Sequence, residues 1–275
     1  MGKEEATGIT LEELIDRQLG RRSFVKLVGL GIVSGAIATF PAEIAEAKAK
    51  APAKKRFHYG MVIDLKRCIS CKACTMACKL ENKTPPGVAY NPVREEEVGE
   101  FPNVRRQWFP SPCFHCEKPP CVPVCPVKAT WKREEDGIVV VDYDKCITAG
   151  ACVVACPYEA RTIDPGENYP AQQTEFGKIP SPEYYGKYGV RKEGEAPIGK
   201  VRKCTFCLHL QDADGRYTRP PACAETCMGR AIHFGDFIEG KCIVHECDLK
   251  ELLAKRRRIR LKEELGTEPN VYYLL

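Results

Sequence analysis

No stretch of this 275-residue chain is long and apolar enough to be read as a bilayer span. A spanning helix takes roughly 20 consecutive apolar residues. The one mild apolar run, residues 27–40, is shorter and rich in Gly and Ala. The sequence holds no phosphate-cradling glycine motif, no dinucleotide fingerprint and no pairing of a nucleophile with a base. Those absences exclude nucleotide-driven chemistry and leave the chain without a catalytic constellation of its own. Leu, Ile, Val and Phe are sparse, whereas 22 glycines and 21 prolines are present. Such a composition builds a large apolar core poorly, and internal metal staples are the usual compensation.

Cysteine is what the chain has in excess, with 17 in all. Fifteen fall into four blocks: Cys68, Cys71, Cys74, Cys78; Cys113, Cys116, Cys121, Cys125; Cys146, Cys152, Cys156; and Cys204, Cys207, Cys223, Cys227. Pro126 and Pro157 follow the second and third blocks, and Ala149 stands in the second slot of the third. Closely spaced soft thiolates on a tight loop wrap the irons of a cubane cluster, and the fourth cysteine of such a run ligates a neighbouring cluster. Blocks of this kind work in pairs, so four blocks imply four clusters, one of them short of a ligand.

An alanine methyl cannot coordinate iron. Three readings of Ala149 stand open: a [3Fe-4S] cluster with one corner vacant, a [4Fe-4S] cluster with water or a nearby side chain on its fourth iron, or loss of that cluster. The fourth block alone also has the form of a zinc site, two separated cysteine pairs. Lys79 follows the first block and Met228 the fourth, where proline follows the others, so their exits are expected to differ. His115 and His209 sit beside filled slots and are expected to tune potentials by hydrogen bonding. Cys242 and Cys247 lie outside the blocks, either as free or buried thiols or as a disulfide formed after export.

The N-terminus reads as an export address. Gly20-Arg21-Arg22-Ser23-Phe24-Val25-Lys26 has the twin-arginine form, with small-residue cleavage sites near residues 45–49. Residues 1–49 are therefore expected to be removed, with an uncleaved anchor as the alternative, and the mature protein is placed in the periplasm. An exported, cysteine-rich chain is ordinarily disulfide-bonded, but here the block spacing overrides that prior. The formal net charge is +5. Each oxidised cluster with its thiolates contributes about −2, so the basic surplus reads as compensation rather than a nucleic-acid footprint.

Short strands bracket the blocks: residues 59–65 enter the first, a hairpin of residues 129–133 and 138–142 joins the second to the third, residues 160–164 leave the third, and residues 200–203 and 231–237 flank the fourth. The expected fold is α+β, two bacterial two-cluster ferredoxin units side by side in residues 50–247. Residues 79–112 and 164–199 lack a sustained period and read as loops, packing over the clusters or contacting a partner. Residues 248–275 read as a C-terminal helix and tail. Lys255 to Arg258, Arg260 and Lys262 would form a basic cluster there, solvated or docking on a membrane subunit or anionic lipid.

The segments CISCKACTMACK, CFHCEKPPCVPVCPVKATWKREEDGIVVVD, CITAGACVVACPYEA and KCTFC…PPACAETC resemble the four-cluster ferredoxin subunit of the molybdopterin oxidoreductase family, over residues 58–240. The export signal and the long second segment are most similar to tetrathionate- and polysulfide-reductase-type subunits. The resemblance implies that block one pairs with block four and block two with block three. Cys68, Cys71, Cys74 and Cys227 would hold one cluster, and Cys204, Cys207, Cys223 and Cys78 its neighbour. Cys113, Cys116, Cys121 and Cys156 would hold the third, and Cys146, Cys152 and Cys125 the last. The gap at Ala149 then lies in the pair formed by the two inner blocks. The resemblance further implies electron transfer between a membrane quinone-reactive subunit and a molybdopterin catalytic subunit, with membrane contact through the partner. A quinone-linked complex without molybdenum, or a free periplasmic ferredoxin, is the alternative.

Overall fold

The protein is known from a computed structural model that describes residues 56–85, 87–164 and 199–275. The expected export segment and nearly all of the second long loop lie outside the described residues. In chain order the elements are β1 (Tyr59–Asp64), α1 (Ala73–Asn82), β2 (Val93–Val98), β3 (Arg105–Pro110), β4 (Thr130–Lys132) and β5 (Val139–Val141). Then come α2 (Ala151–Val154), β6 (Arg161–Ile163), β7 (Val201–Lys203), α3 (Ala222–Glu225), β8 (Ile232–Asp236), α4 (Leu249–Lys255), β9 (Arg258–Ile259) and β10 (Val271–Leu274). The protein is mixed α+β with few and short helices. Among the described residues no helix is long and apolar enough to cross a membrane.

All six residues of β1 are buried, which follows from its place inside a four-stranded sheet of order β8-β1-β10-β9. It pairs antiparallel with β8, Met61 facing Phe234, and parallel with β10, Met61 facing Val271. A strand flanked on both edges satisfies its whole ladder and reads as a continuous apolar run. The sequence Tyr59–Asp64 (YGMVID) has that form. Three two-stranded ribbons complete the sheets: β2 with β3, β4 with β5, and β6 with β7, all antiparallel. The β4–β5 hairpin and the strands around blocks three and four agree with the sequence reading.

One expectation fails and another holds in part. Residues 93–110, inside the first supposed loop, form the β2–β3 hairpin. Its strands carry the run VREEEV and the charged start RRQ, so the ribbon is polar and half exposed, and no apolar alternation marks it. The C-terminal helix expected at the start of residues 248–275 is present but short, and the expected tail contains strands. Asp248 caps α4 by accepting from Lys250 N–H (2.7 Å) and Glu251 N–H (3.1 Å), but the helix stops at Lys255. Arg256 is extended and fastens to buried Asp64 with both guanidinium nitrogens, at 2.8 and 3.1 Å. From there the chain returns to the sheet as β9 and β10.

The basic run is correspondingly engaged within the chain. Lys255 pairs with Glu251, Arg258 donates to the Leu253 carbonyl, Arg260 pairs with Glu263, and Lys262 donates to the Pro157 carbonyl at 2.6 Å. These contacts disfavour a surface reserved for anionic lipid.

Tyr273 of β10 is fully buried, packs edge-on against Phe109 and Phe114, and donates from its hydroxyl to the Pro110 carbonyl at 2.8 Å. Tyr273→Phe should cost about 1 kcal/mol, one hydrogen bond. Tyr273→Ala should cost about 3–5 kcal/mol, read as a lower midpoint of thermal bleaching of the visible chromophore.

Candidate iron–sulfur centre

The four cysteine blocks bend at the same place. Ser70, His115, Thr148 and Phe206, each two residues after the first cysteine of its block, have left-handed φ values of 57°, 43°, 61° and 56°. Non-glycine residues visit that region at a cost of roughly 1–2 kcal/mol. Its recurrence at one register shows a loop shaped around an object rather than by local preference. The third block keeps the bend although Ala149 fills its second slot.

A second shared turn follows the last cysteine. Lys128, Glu159 and Arg230, three residues after Cys125, Cys156 and Cys227, have φ of 51°, 52° and 48°. The turn aims the next backbone N–H at the sulfur: Ala129 N–H to Cys125 Sγ at 3.2 Å and Ala231 N–H to Cys227 Sγ at 3.3 Å. Ala160 N–H does the same at Cys156. Met228 therefore does not change the exit of the fourth block. Lys79 does change that of the first. With no proline to interrupt it, α1 runs on to Asn82, and the Asn82 amide replaces the backbone donor, lying 3.5 Å from Cys78 Sγ and 3.7 Å from Cys207 Sγ.

The sulfurs gather across blocks. Cys68, Cys71, Cys74 and Cys227 line one pocket, and Cys113, Cys116, Cys121 and Cys156 line another. Cys223 is crowded by Cys78, Cys207 and Cys204. Cys125, Cys146 and Cys152 pack together against Ala129 and Val201. Because Cys227 sits with the first block, the four cysteines of the fourth block do not converge on one point. That arrangement is incompatible with a zinc site made by block four alone.

The groups also fall in an order. Cys223 of the second group feels Cys74 of the first. Cys204 feels Cys113 of the third. The Arg161 guanidinium lies among Cys113, Cys121 and Cys152, between the third and fourth. Slot two is exposed at Cys71 and Ala149 but buried at Cys116 and Cys207. The gap at Ala149 thus lies at an exposed end of the row and not within its middle.

The donor set fits iron–sulfur clusters. Burial, reinforced by neighbouring sulfurs, raises Cys74 to about 11 and both Cys116 and Cys204 to about 12. Cations among the sulfurs would offset that cost. Soft thiolates grouped in this way suit iron–sulfur clusters. At Cys125 burial is overcome by backbone N–H groups of Ala129, Thr130 and Val127, which hold the thiol below its usual value.

The sequence gives little warning of several residues here. Arg161, buried in β6, donates to Cys121 Sγ at 3.1 Å and Thr130 Oγ1 at 2.8 Å. Its Nε and Nη1 are buried with no protein partner, donors suited to the sulfides of an adjoining cluster. Buried Lys203 reaches the Cys204 carbonyl at 2.7 Å, and Lys132 the Cys116 carbonyl at 2.8 Å. An arginine or lysine in a three-residue strand beside a cysteine block is the signal that marks them.

The two histidines divide. His115 is buried, stacks on Phe206 at 3.9 Å and accepts from Val139 N–H at 3.0 Å. Burial, then Lys203, Lys132 and Arg161, push it well below the usual range, so it is neutral. His209 is instead engaged with a carboxylate, pairing with Glu81 at 2.7 Å.

Arg161→Met removes a buried cation from beside one sulfur group. The reduction potential of that centre should fall by on the order of 100 mV, taking a unit charge a few ångströms away at an effective dielectric of about 20. Arg161→Lys should retain most of the wild-type value. Redox titration followed by electron paramagnetic resonance reads both.

A family model described as a 4Fe-4S dicluster domain matches residues 104–172. The B subunit of selenate reductase from Mesobacillus selenatarsenatis is 51% identical over 217 residues, covering 78% of this chain and 70% of that protein. The B subunit of tetrathionate reductase from Salmonella typhimurium is 36% identical over 271 residues, covering 98% and 90%. The menaquinone reductase iron–sulfur cluster-binding subunit of Nitratidesulfovibrio vulgaris is 37% identical over 245 residues, covering 80% and 89%. Matches of this extent join a sequence whose cysteine blocks are crossed into sulfur groups. The chain belongs to the ferredoxin-type iron–sulfur subunits of the molybdopterin oxidoreductase family.

Proposed function

We propose that this chain is a one-electron relay carrying four clusters in a row, in an exported respiratory oxidoreductase. The observation that carries the reading is the row of sulfur groups, exposed at Cys71 and Ala149 and buried between them. Bound clusters supply reversible one-electron chemistry with potentials set by charge, hydrogen bonds and exposure. The protein's own residues hold, space and insulate them. Cys68, Cys71, Cys74 and Cys227 hold the first. Cys78, Cys204, Cys207 and Cys223 hold the second, and Cys113, Cys116, Cys121 and Cys156 the third. Cys125, Cys146 and Cys152 hold the fourth, a [3Fe-4S] cluster, since no ligand stands at position 149. The shared bends and the crossed exchange of last cysteines support two ferredoxin-like units side by side.

One end of the row would meet a molybdopterin catalytic subunit and the other a quinone-reactive membrane subunit. The names of the relatives support a catalytic partner: they are B subunits of selenate reductase, tetrathionate reductase and sulfite dehydrogenase, enzymes of different substrates. The terminal substrate therefore belongs to the catalytic partner. The Gly20–Lys26 signal supports export across the membrane in folded form, and a periplasmic location. The menaquinone reductase relative keeps a quinone-linked complex of another composition as the second reading.

The oxidised protein should show a three-iron resonance signal. Ala149→Cys should abolish it and add one iron per chain; no three-iron signal in the unmutated protein would sink the assignment. Native membrane extracts should yield the chain with a large molybdenum-containing subunit in fixed ratio. Recovery as a stable monomer without any partner would contradict both complex readings.

A further inference from the structure

Two cysteines and a histidine remain outside the sulfur row, and the fold brings them together. Gly235 of β8 forms a bridge with Cys242. A Cβ at Gly235 would stand 2.0 Å from the Lys241 carbonyl oxygen, so only glycine lets the 241–248 loop lie this close to the strand. The loop is closed at its base by the Lys241–Asp248 bridge and by Leu249 N–H to the Gly240 carbonyl at 2.7 Å. Inside it, Ile243 N–H bonds the Phe234 carbonyl at 2.8 Å, Cys247 N–H the His245 carbonyl at 2.8 Å, and Cys242 N–H the Cys247 carbonyl at 3.3 Å. The result is a tight knuckle with both sulfurs turned toward His233.

The ligand atoms of His233, Cys242 and Cys247 all lie within 4.8 Å of one another. His233 and Cys242 are buried and Cys247 is half-buried. Cys247 Sγ is 3.5 Å from His233 Nδ1. In a tetrahedral zinc site, with Zn–S about 2.3 Å and Zn–N about 2.0–2.1 Å, the sulfur–nitrogen edge is about 3.6 Å. His245 N–H points at Cys242 Sγ at 3.4 Å, the kind of contact that supports a ligating sulfur. The His245 ring stands edge-on to His233 with centroids 5.0 Å apart, and its Nε2 is buried with no hydrogen-bond partner. Arg67 borders both this cleft and the cavity of Cys68, yet the two sites share no cysteine.

We propose that His233, Cys242 and Cys247 form a separate mononuclear site for a thiophilic divalent cation of the zinc type, with His245 beside its fourth position. The ion would tie β8 to the loop that launches α4, a structural staple independent of the electron path. Two thiolates balance the ion's charge.

The test uses the cluster-loaded full chain, purified under reducing conditions. Elemental analysis should find about one zinc per chain, in line with a single tetrahedral site. Cys242→Ser and Cys247→Ser should each lose that zinc while iron and acid-labile sulfide stay at the wild-type level. Should either variant fail to fold, X-ray absorption at the zinc edge of the unmutated protein reads the donor set directly, with two sulfurs and at least one nitrogen expected. Protein from cobalt-supplemented cells should show a thiolate-to-cobalt charge-transfer band. The proposal is overturned by an unmutated chain lacking stoichiometric non-iron metal, by variants that keep their zinc, by a zinc shell of four sulfurs or of oxygens alone, or by a mass deficit of two hydrogens mapping to a Cys242–Cys247 disulfide.

Discussion

Crowded sulfur in a poor apolar core is the constraint from which the rest of this structure follows. Burial raises the ionisation cost of thiols such as Cys204 and Cys223, and neighbouring sulfurs add to it, so cations among them favour the thiolates. Closing each group with a cysteine from another block makes metal assembly and chain folding one event. Block one cannot complete its group until Cys227, far along the chain, has arrived. Sheet and sulfur row are built together for the same reason: β1 leads into block one, while β8 leaves block four and pairs with β1.

The cations around the sulfurs are arranged by the same logic. Arg161 has its guanidinium against Cys121, while Lys203 and Lys132 reach the carbonyls of Cys204 and Cys116. Buried Arg202 is held by Asp164 at 3.1 Å and by the Tyr90 hydroxyl at 2.6 Å, joining the β6–β7 ribbon to the loop after α1. A buried ion pair is weak evidence for stability. Here it fixes the approach of two segments that each carry sulfur ligands, which is a matter of position.

Much of the centre was legible because cubane-wrapping loops demand close, fixed spacing, and spacing is a property of sequence. The strands beside the blocks were legible for a similar reason, being short runs of β-branched and apolar residues such as Val139–Val141. The β2–β3 hairpin was not, because its strands are rich in charge and half exposed, with no apolar alternation to read. The last residues misled in another way. Leu249, Leu252 and Leu253 have helical spacing and form α4, but Ile259 lies in the edge strand β9. Asp64, 192 residues before Arg256, decides where the helix ends.

The sequence alone determined the chemistry: fifteen thiols in four wrapped loops, and one slot where no ligand is possible. Local spacing dictates which thiols of one block can reach a shared centre, so that much needs no fold. Only the tertiary structure decided the order of the groups, the exposure of the Ala149 slot at an end of the row, and the meeting of His233 with Cys242 and Cys247. Those depend on which strands pair and how closely loops approach them, and long-range pairing leaves no trace in local spacing.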